Sequence, residues 1–174
     1  LPTLVPRPYG EYIDAICQSG VKIVETNVAR FVPVTLIDDG DPRGTAGATL
    51  ACLDHLEDRF LVVYGDTLFD LDVGHIIAQH QASGADATLL LHPNDHPADS
   101  DLIELDQAGW VTAFHAYPHP DGAWLPNLVN AAFYVIERSA LEPWRGRMTV
   151  GDFAKDLFPA MLAEGSRFHG HVSF

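Results

Sequence analysis

Asp66 follows the apolar run Phe60-Leu61-Val62-Val63-Tyr64 and a glycine, Gly65. A strand ending this way delivers its carboxylate to a sheet edge, where burying the charge without a partner is costly. A divalent cation is one partner: Mg²⁺ prefers hard oxygen donors and takes one or two carboxylates beside substrate phosphates. Capping of the next turn is the other explanation, and the spacing leaves open whether Asp70 or Asp72 converges on Asp66. Gly44-Thr45-Ala46-Gly47 precedes a helical pattern. Its amides and the positive end of the helix could approach a phosphate or a nucleobase, while a glycine turn capped by Thr45 accounts for the same residues. No Gly-Lys-Ser/Thr follows, so this is not a P-loop. Asn130 lies inside an apolar strand pattern and must hydrogen-bond to something. Imidazoles and carboxylates crowd the segment from His92 to Asp101, but its prolines and turn formers describe a solvated loop without helical metal-ligand spacing. His115 and His119 are similarly open, and no serine elbow or Cys–His arrangement points to a covalent nucleophile.

The elements that must position these groups alternate. Helical spacing is expected over Tyr9–Ser19, closed by Gly20, then strands at Val21–Val24 and Val32–Ile37. A helix is expected from about Ala46 to Glu57, capped by Thr45, followed by the strand Phe60–Tyr64. Unbroken apolarity there predicts a strand covered on both faces, as in a parallel sheet. Val73, Ile76, Ile77 and His80 repeat at helical spacing before Gly84, and Ala87–Leu91 is another buried strand. Leu102–Leu105 and Val111–Phe114 flank a Gln107-Ala108-Gly109 turn and predict a hairpin. Val129–Ile136 is a further strand, and Phe153–Leu162 is helical with a break at Pro159. The alternation predicts one α/β layer sandwich with a mostly parallel sheet and an antiparallel hairpin excursion. Open sheets of this kind bind ligands beyond the carboxyl ends of their strands, where Asp66 falls.

Composition narrows the partners. With 24 acidic and 10 basic residues the formal charge of the 174-residue chain is −14. Nucleic acid, which requires a cationic surface, is therefore not an expected partner. A phosphorylated substrate would need a bound cation and local donors. Cys17 and Cys52 form no close pair, no apolar run reaches membrane-spanning length, and a reducing cytoplasm is expected. The oligomeric state is not fixed, which leaves a homo-oligomer open.

Taken in order, Asp41-Pro42-Arg43-Gly44-Thr45-Ala46-Gly47-Ala48, Phe60 to Asp66, Val111-Thr112-Ala113-Phe114 and Val129-Asn130-Ala131-Ala132-Phe133-Tyr134-Val135 resemble the sugar-phosphate nucleotidyltransferases, nearest the mannose-1-phosphate or heptose-1-phosphate guanylyltransferase branch. The resemblance implies a Rossmann-like three-layer sandwich of the nucleotide-diphospho-sugar transferase type. It also implies attack by a sugar 1-phosphate on the α-phosphate of a nucleoside triphosphate, with release of pyrophosphate. By that likeness Gly44, Thr45, Ala46, Gly47 and Gly65 lie against the nucleotide, Asp66 holds the catalytic Mg²⁺, and Asn130 meets the sugar. A GDP-sugar for bacterial surface polysaccharide is the implied product.

The sequence also departs from the family. Ala132 stands where glycine is usual, and Ala116-Tyr117-Pro118 replaces a Glu-Lys-Pro phrase that touches sugar and phosphate. A single domain over residues 1–174 is expected, lacking the family's N-terminal phosphate loop and a C-terminal segment that carries a second metal carboxylate. A degenerate nucleotide-sugar-binding or regulatory module of the same fold, and another metal-dependent glycosyl-transferring enzyme, are the competing expectations.

Overall fold

The computed structural model describes Ile37 and residues 41–67 and 70–173. The expected helix at Tyr9–Ser19 and the strands at Val21–Val24 and Val32–Ile37 lie outside these residues, Ile37 alone excepted. The described helices and strands all belong to the compact unit that begins at Asp41.

Helix α1 spans Gly44–Ala51 and runs into a tight turn at Leu53–His55, burying Ala46, Leu50 and Leu53. It starts two residues before the expected position and stops well short of Glu57, and Thr45 is not its cap. The amides of Ala46 and Gly47 instead donate to the carbonyl of Gly151, at 3.0 and 3.2 Å. Strand β1, Arg59–Val63, follows. Helix α2, Val73–Ser83, agrees with its predicted face: Ile76 and His80 are buried, Asp72 caps the start, and Gly84 ends it at φ 63°. Strand β2, Ala87–His92, and the hairpin of β3, Leu102–Leu105, and β4, Val111–His115, come next. Strand β5, Val129–Glu137, leads into the short helix α3, Arg138–Leu141. A wide helical turn at Phe153–Leu157 passes into α4, Phe158–Ala163, and Pro159 sits in the first turn of α4, where its missing N–H is least costly. Strand β6, Phe168–Val172, completes the sheet.

The sheet order is β4-β3-β5-β2-β6, with β1 also on β5. The expected mostly parallel sheet is not what the described strands form. Of their five pairings only β2 with β6 is parallel; β1 with β5, β2 with β5, β3 with β4 and β3 with β5 are antiparallel. The reason is the placement of β5. Strands β1, β2 and β6 do point the same way, as the alternation of strands and helices requires. The returning strand β5 lies between β1 and β2, so these two strands of like direction do not pair with each other.

One edge of β5 serves two strands, β1 along Phe133–Glu137 and β3 at Val129. Between them the register of β2 on β5 shifts, and Ala132 takes φ 55°, the left-handed region that glycine favours.

Side chains alternate across the sheet. The first face carries Ala87, Leu89, Leu91, Tyr134, Ile136 and Phe168 against α1, the Phe153 turn and α4. The second carries Leu90, Phe133 and Val135 against Ile76 of α2. Burial on both faces holds for β2 but not for β1, whose Leu61 and Val63 remain 39 % and 45 % exposed. These two lie beside Val135 and Phe133, past the strip that α2 covers.

Candidate functional site

Because β1, β2 and β6 run in one direction, their carboxyl ends gather at one end of the sheet. A cavity of about 220 Å³ lies there, lined by Thr67, Asp70 and Leu71 after β1, by Leu90 and His92 of β2, by Ala131 of β5 and by Ser173 after β6. Asp66 precedes Thr67 in the turn that leaves β1. Its side chain is exposed, and no hydrogen bond or ion pair holds it among the described residues. It does not cap the turn, which closes through the Thr67 amide and the Tyr64 carbonyl at 3.2 Å.

The two nearby aspartates part company. Asp72 accepts the His75 amide at 3.0 Å as the cap of α2, whereas Asp70 lines the cavity. His92, also on the wall, donates Nδ1–H to the Pro93 carbonyl at 2.9 Å, which leaves Nε2 as its free nitrogen. Gly65 has no packing reason to be glycine: a Cβ there would meet nothing within 4 Å.

Residues Gly44–Gly47 form the first turn of α1, not a loop before it, and are gripped by the Thr149–Asp152 segment. A Cβ on Gly44 would lie 2.5 Å from the Gly151 carbonyl oxygen, and one on Gly47 would lie 2.7 Å from that of Thr149. Both glycines therefore permit a backbone-on-backbone approach. Thr45 donates its hydroxyl to Asp152 Oδ2 at 2.7 Å and accepts the Phe153 amide at 3.1 Å. Asp152 Oδ1 in turn caps the next helical turn through the amides of Ala154 and Lys155. Sequence reasoning singles out neither Gly151 nor Asp152. The one local signal for them is an aspartate directly before an apolar helical run.

Asn130 donates Nδ2–H to the Tyr134 hydroxyl at 2.8 Å and accepts the Ala132 amide at 3.3 Å. Tyr134 packs edge-to-face on Tyr64, with ring centroids 6.2 Å apart. Burial pushes both phenols above their ordinary range, so they are neutral at physiological pH.

The histidine- and aspartate-rich loop has a mechanical role. Asn94 and Asn127 exchange two hydrogen bonds, at 3.1 and 2.8 Å. Asp101 accepts the Tyr117 amide, and His119 donates to the Ser100 carbonyl. The two loops are thereby clasped together. No group of three metal-binding side chains occurs among the described residues. A second cavity, about 330 Å³, lies between these loops, and the linings of both cavities omit Gly44–Gly47, Gly65, Asp66 and Asn130.

The Asp66 carboxylate, without a partner among the described residues, has the chemistry of a ligand for a hard cation whose remaining positions are filled by substrate and water.

An α/β sheet whose like-directed strands end at one cavity places that cavity where open sheets of this kind take their ligands. The nucleotidyl transferase family model matches residues 11–172, and the chain belongs to that family of sugar-1-phosphate nucleotidyltransferases. It is 34 % identical over 111 residues to the glucose-1-phosphate cytidylyltransferase of Salmonella typhi, a match that covers 63 % of this chain and 40 % of that one. It is 30 % identical over 176 residues to the valienol-1-phosphate guanylyltransferase of Streptomyces hygroscopicus subsp. limoneus, covering 94 % and 44 %. The chain therefore spans about two fifths of the length of these relatives. HddC from Yersinia pseudotuberculosis, solved in complex with GMP-PN, shares the fold at a TM-score of 0.66 and 19 % identity, over 94 % of this chain and 65 % of that one. No helix among the described residues is long and apolar enough to cross a membrane.

Proposed function

We propose that the chain transfers a nucleotidyl group from a nucleoside triphosphate, preferentially GTP, to mannose or heptose 1-phosphate in the cytoplasm. An oxygen of the sugar phosphate attacks the α-phosphorus. The bond from that phosphorus to the α,β-bridging oxygen breaks, and pyrophosphate leaves with the electron pair. Both reactants are anions, so alignment and charge neutralisation carry the rate.

The observation that carries this reading is the Asp66 carboxylate, exposed and unpartnered among the described residues, in the turn whose next residue, Thr67, lines the 220 Å³ cavity. Asp66 would hold Mg²⁺, which supplies charge neutralisation at the phosphoryl oxygens when bound. Gly65 leaves room for a ligand at close approach. The Gly44–Gly47 turn would lie against base and ribose, with its shape fixed by Gly151 and Asp152. Asn130, whose amide is oriented by Tyr134, would meet the sugar.

The experiment is pyrophosphate release with GTP, CTP or ATP against mannose or heptose 1-phosphate. GTP should give the fastest release, and Asp66→Asn should lower it at least about 100-fold. Equal rates for the Asp66→Asn variant would remove the metal role, and preference for CTP or ATP would reassign the base.

A nucleotide-sugar-binding module without turnover is the second reading. Two observations favour it: the Ala46 and Gly47 amides are already given to Gly151, and among the described residues no lysine or arginine lines the cavity. Calorimetric binding of GDP-sugar by a chain that releases no pyrophosphate would establish it.

A further inference from the structure

Helix α2 meets β6 through polar side chains where an apolar seam is the rule. His169 and His171 alternate onto the α2 face of β6, and Gln79 of α2 reaches both rings. Its Nε2 is 3.4 Å from His169 Nδ1, and its Oε1 accepts from His171 Nδ1. His75, one turn earlier on α2, packs edge-to-face on His171 with ring centroids 5.7 Å apart. At the other end Trp110 packs on His169 at 5.2 Å and carries the Arg167 guanidinium at 3.8 Å on its ring. From β2, the register neighbours of His169 and His171 are Thr88 and Leu90. The described groups facing the pair are thus two further positive or protonatable ones, His75 and Arg167, and no carboxylate.

An amide offers one acceptor and one donor. Whichever way Gln79 is turned, one of the two Nδ1 atoms it faces must be a bare lone pair. The bridge is therefore complete only while at least one of His169 and His171 is neutral. Protonating both sets an N–H of Gln79 against an N–H of imidazolium, in a seam that already lacks a counter-charge.

We propose that Gln79 is a pH-sensitive latch between α2 and β6, closed while one of the two histidines is neutral and released when both are protonated. Burial, then the charges of His75 and His169, hold His171 below its ordinary range, in keeping with this seam. The consequence reaches the cavity. Asp70 and Leu71 lead directly into α2, and Ser173 follows β6, so the latch fixes two cavity walls relative to each other.

Gln79→Glu tests the proposal, because a carboxylate accepts from both rings and removes the conflict. Thermal unfolding of the full chain is followed from about pH 8 to about pH 5.5, where histidines charge. The wild-type melting temperature should fall with acid more steeply than that of Gln79→Glu, the variant ending roughly 2–4 °C higher at the acid end. Parallel profiles of the two chains overturn the proposal. Should Gln79→Glu not fold, NMR titration of the His169 and His171 rings in the wild type and in Gln79→Met decides. The latch requires the two protonations to be mutually unfavourable in the wild type and to uncouple when the amide is gone. Independent titration in the wild type overturns it.

Discussion

The two faces of this sheet are held by different physics. On the first face, Phe158 of α4 stacks among Phe114, Tyr134, Phe153 and Phe168, with ring centroids 5.0–5.9 Å apart. On the second, α2 buries a small apolar patch, and the remainder of its contact is imidazole, amide and carboxylate. The buried polar side chains among the described residues, His80 and Thr88, both belong to this second face. His80 contacts Thr88 Oγ1 at 2.9 Å and Glu137 Oε1 at 3.0 Å, and Arg59 completes the group on Glu137. Packing of the aromatic kind is indifferent to protons. Hydrogen bonds through histidine are not, so one layer of the molecule is built to be constant and the other to respond.

Breaking the aromatic face should cost most. Phe158→Ala removes the ring shared by four others and should lower unfolding free energy by about 3–5 kcal/mol, read from urea denaturation. Stabilities of wild type and variant within experimental error would show that this cluster is not the anchor. Next comes the grip on the turn: Gly44→Ala places a methyl 2.5 Å from a carbonyl oxygen at φ 71°. A loss of about 2–3 kcal/mol is expected, and an unchanged urea midpoint would contradict the close approach.

Acid should separate the faces without any mutation. His80 is held below the ordinary 6.5 by burial, which outweighs the pull of Glu137, and His171 is lowered by burial and by neighbouring histidines. The unfolded chain therefore binds these protons more tightly than the folded one. Stability is full above about pH 6.5 and declines as pH falls below it. Hydrogen exchange should report amides of α2 losing protection before those of α1 and α4. Simultaneous loss in all three helices would erase the distinction between the faces. The smallest effect concerns β5: Ala132→Gly relieves the left-handed backbone at φ 55°. It should stabilise by under about 1 kcal/mol, because the strain removed is partly offset by glycine's freedom in the unfolded chain.

Legibility differs by element for identifiable reasons. Helix α2 is readable because it buries the side its periodicity marks and ends at Gly84, and strand β2 because its unbroken apolarity is matched by burial on both faces. Strand β1 is readable in extent but not in environment. Its unbroken apolarity implies two covered faces, yet coverage depends on how far α2 reaches across the sheet. Helix α1 starts earlier than expected because its first amides are satisfied by Gly151, more than a hundred residues away, and not by a local cap, and it ends early where the chain tightens into the turn at Leu53–His55. Of the candidate site, Asp66 and Asn130 can be named from strand-end and buried-amide logic. Asp70, His92 and Ser173 cannot, since nothing local distinguishes a cavity wall from a solvated turn.

The sequence alone determined the order of helices and strands, the acidic character that calls for a cation beside any phosphate, and the short phrases that mark the family. These depend on periodicity, charge count and local backbone preference, all of which act over a few residues. Tertiary structure decided that β5 inserts between strands of like direction, that Thr45 is held by Asp152, and that Gln79 faces two histidines. Each is a meeting of residues far apart along the chain, and such meetings are selected by the packing of the whole sheet.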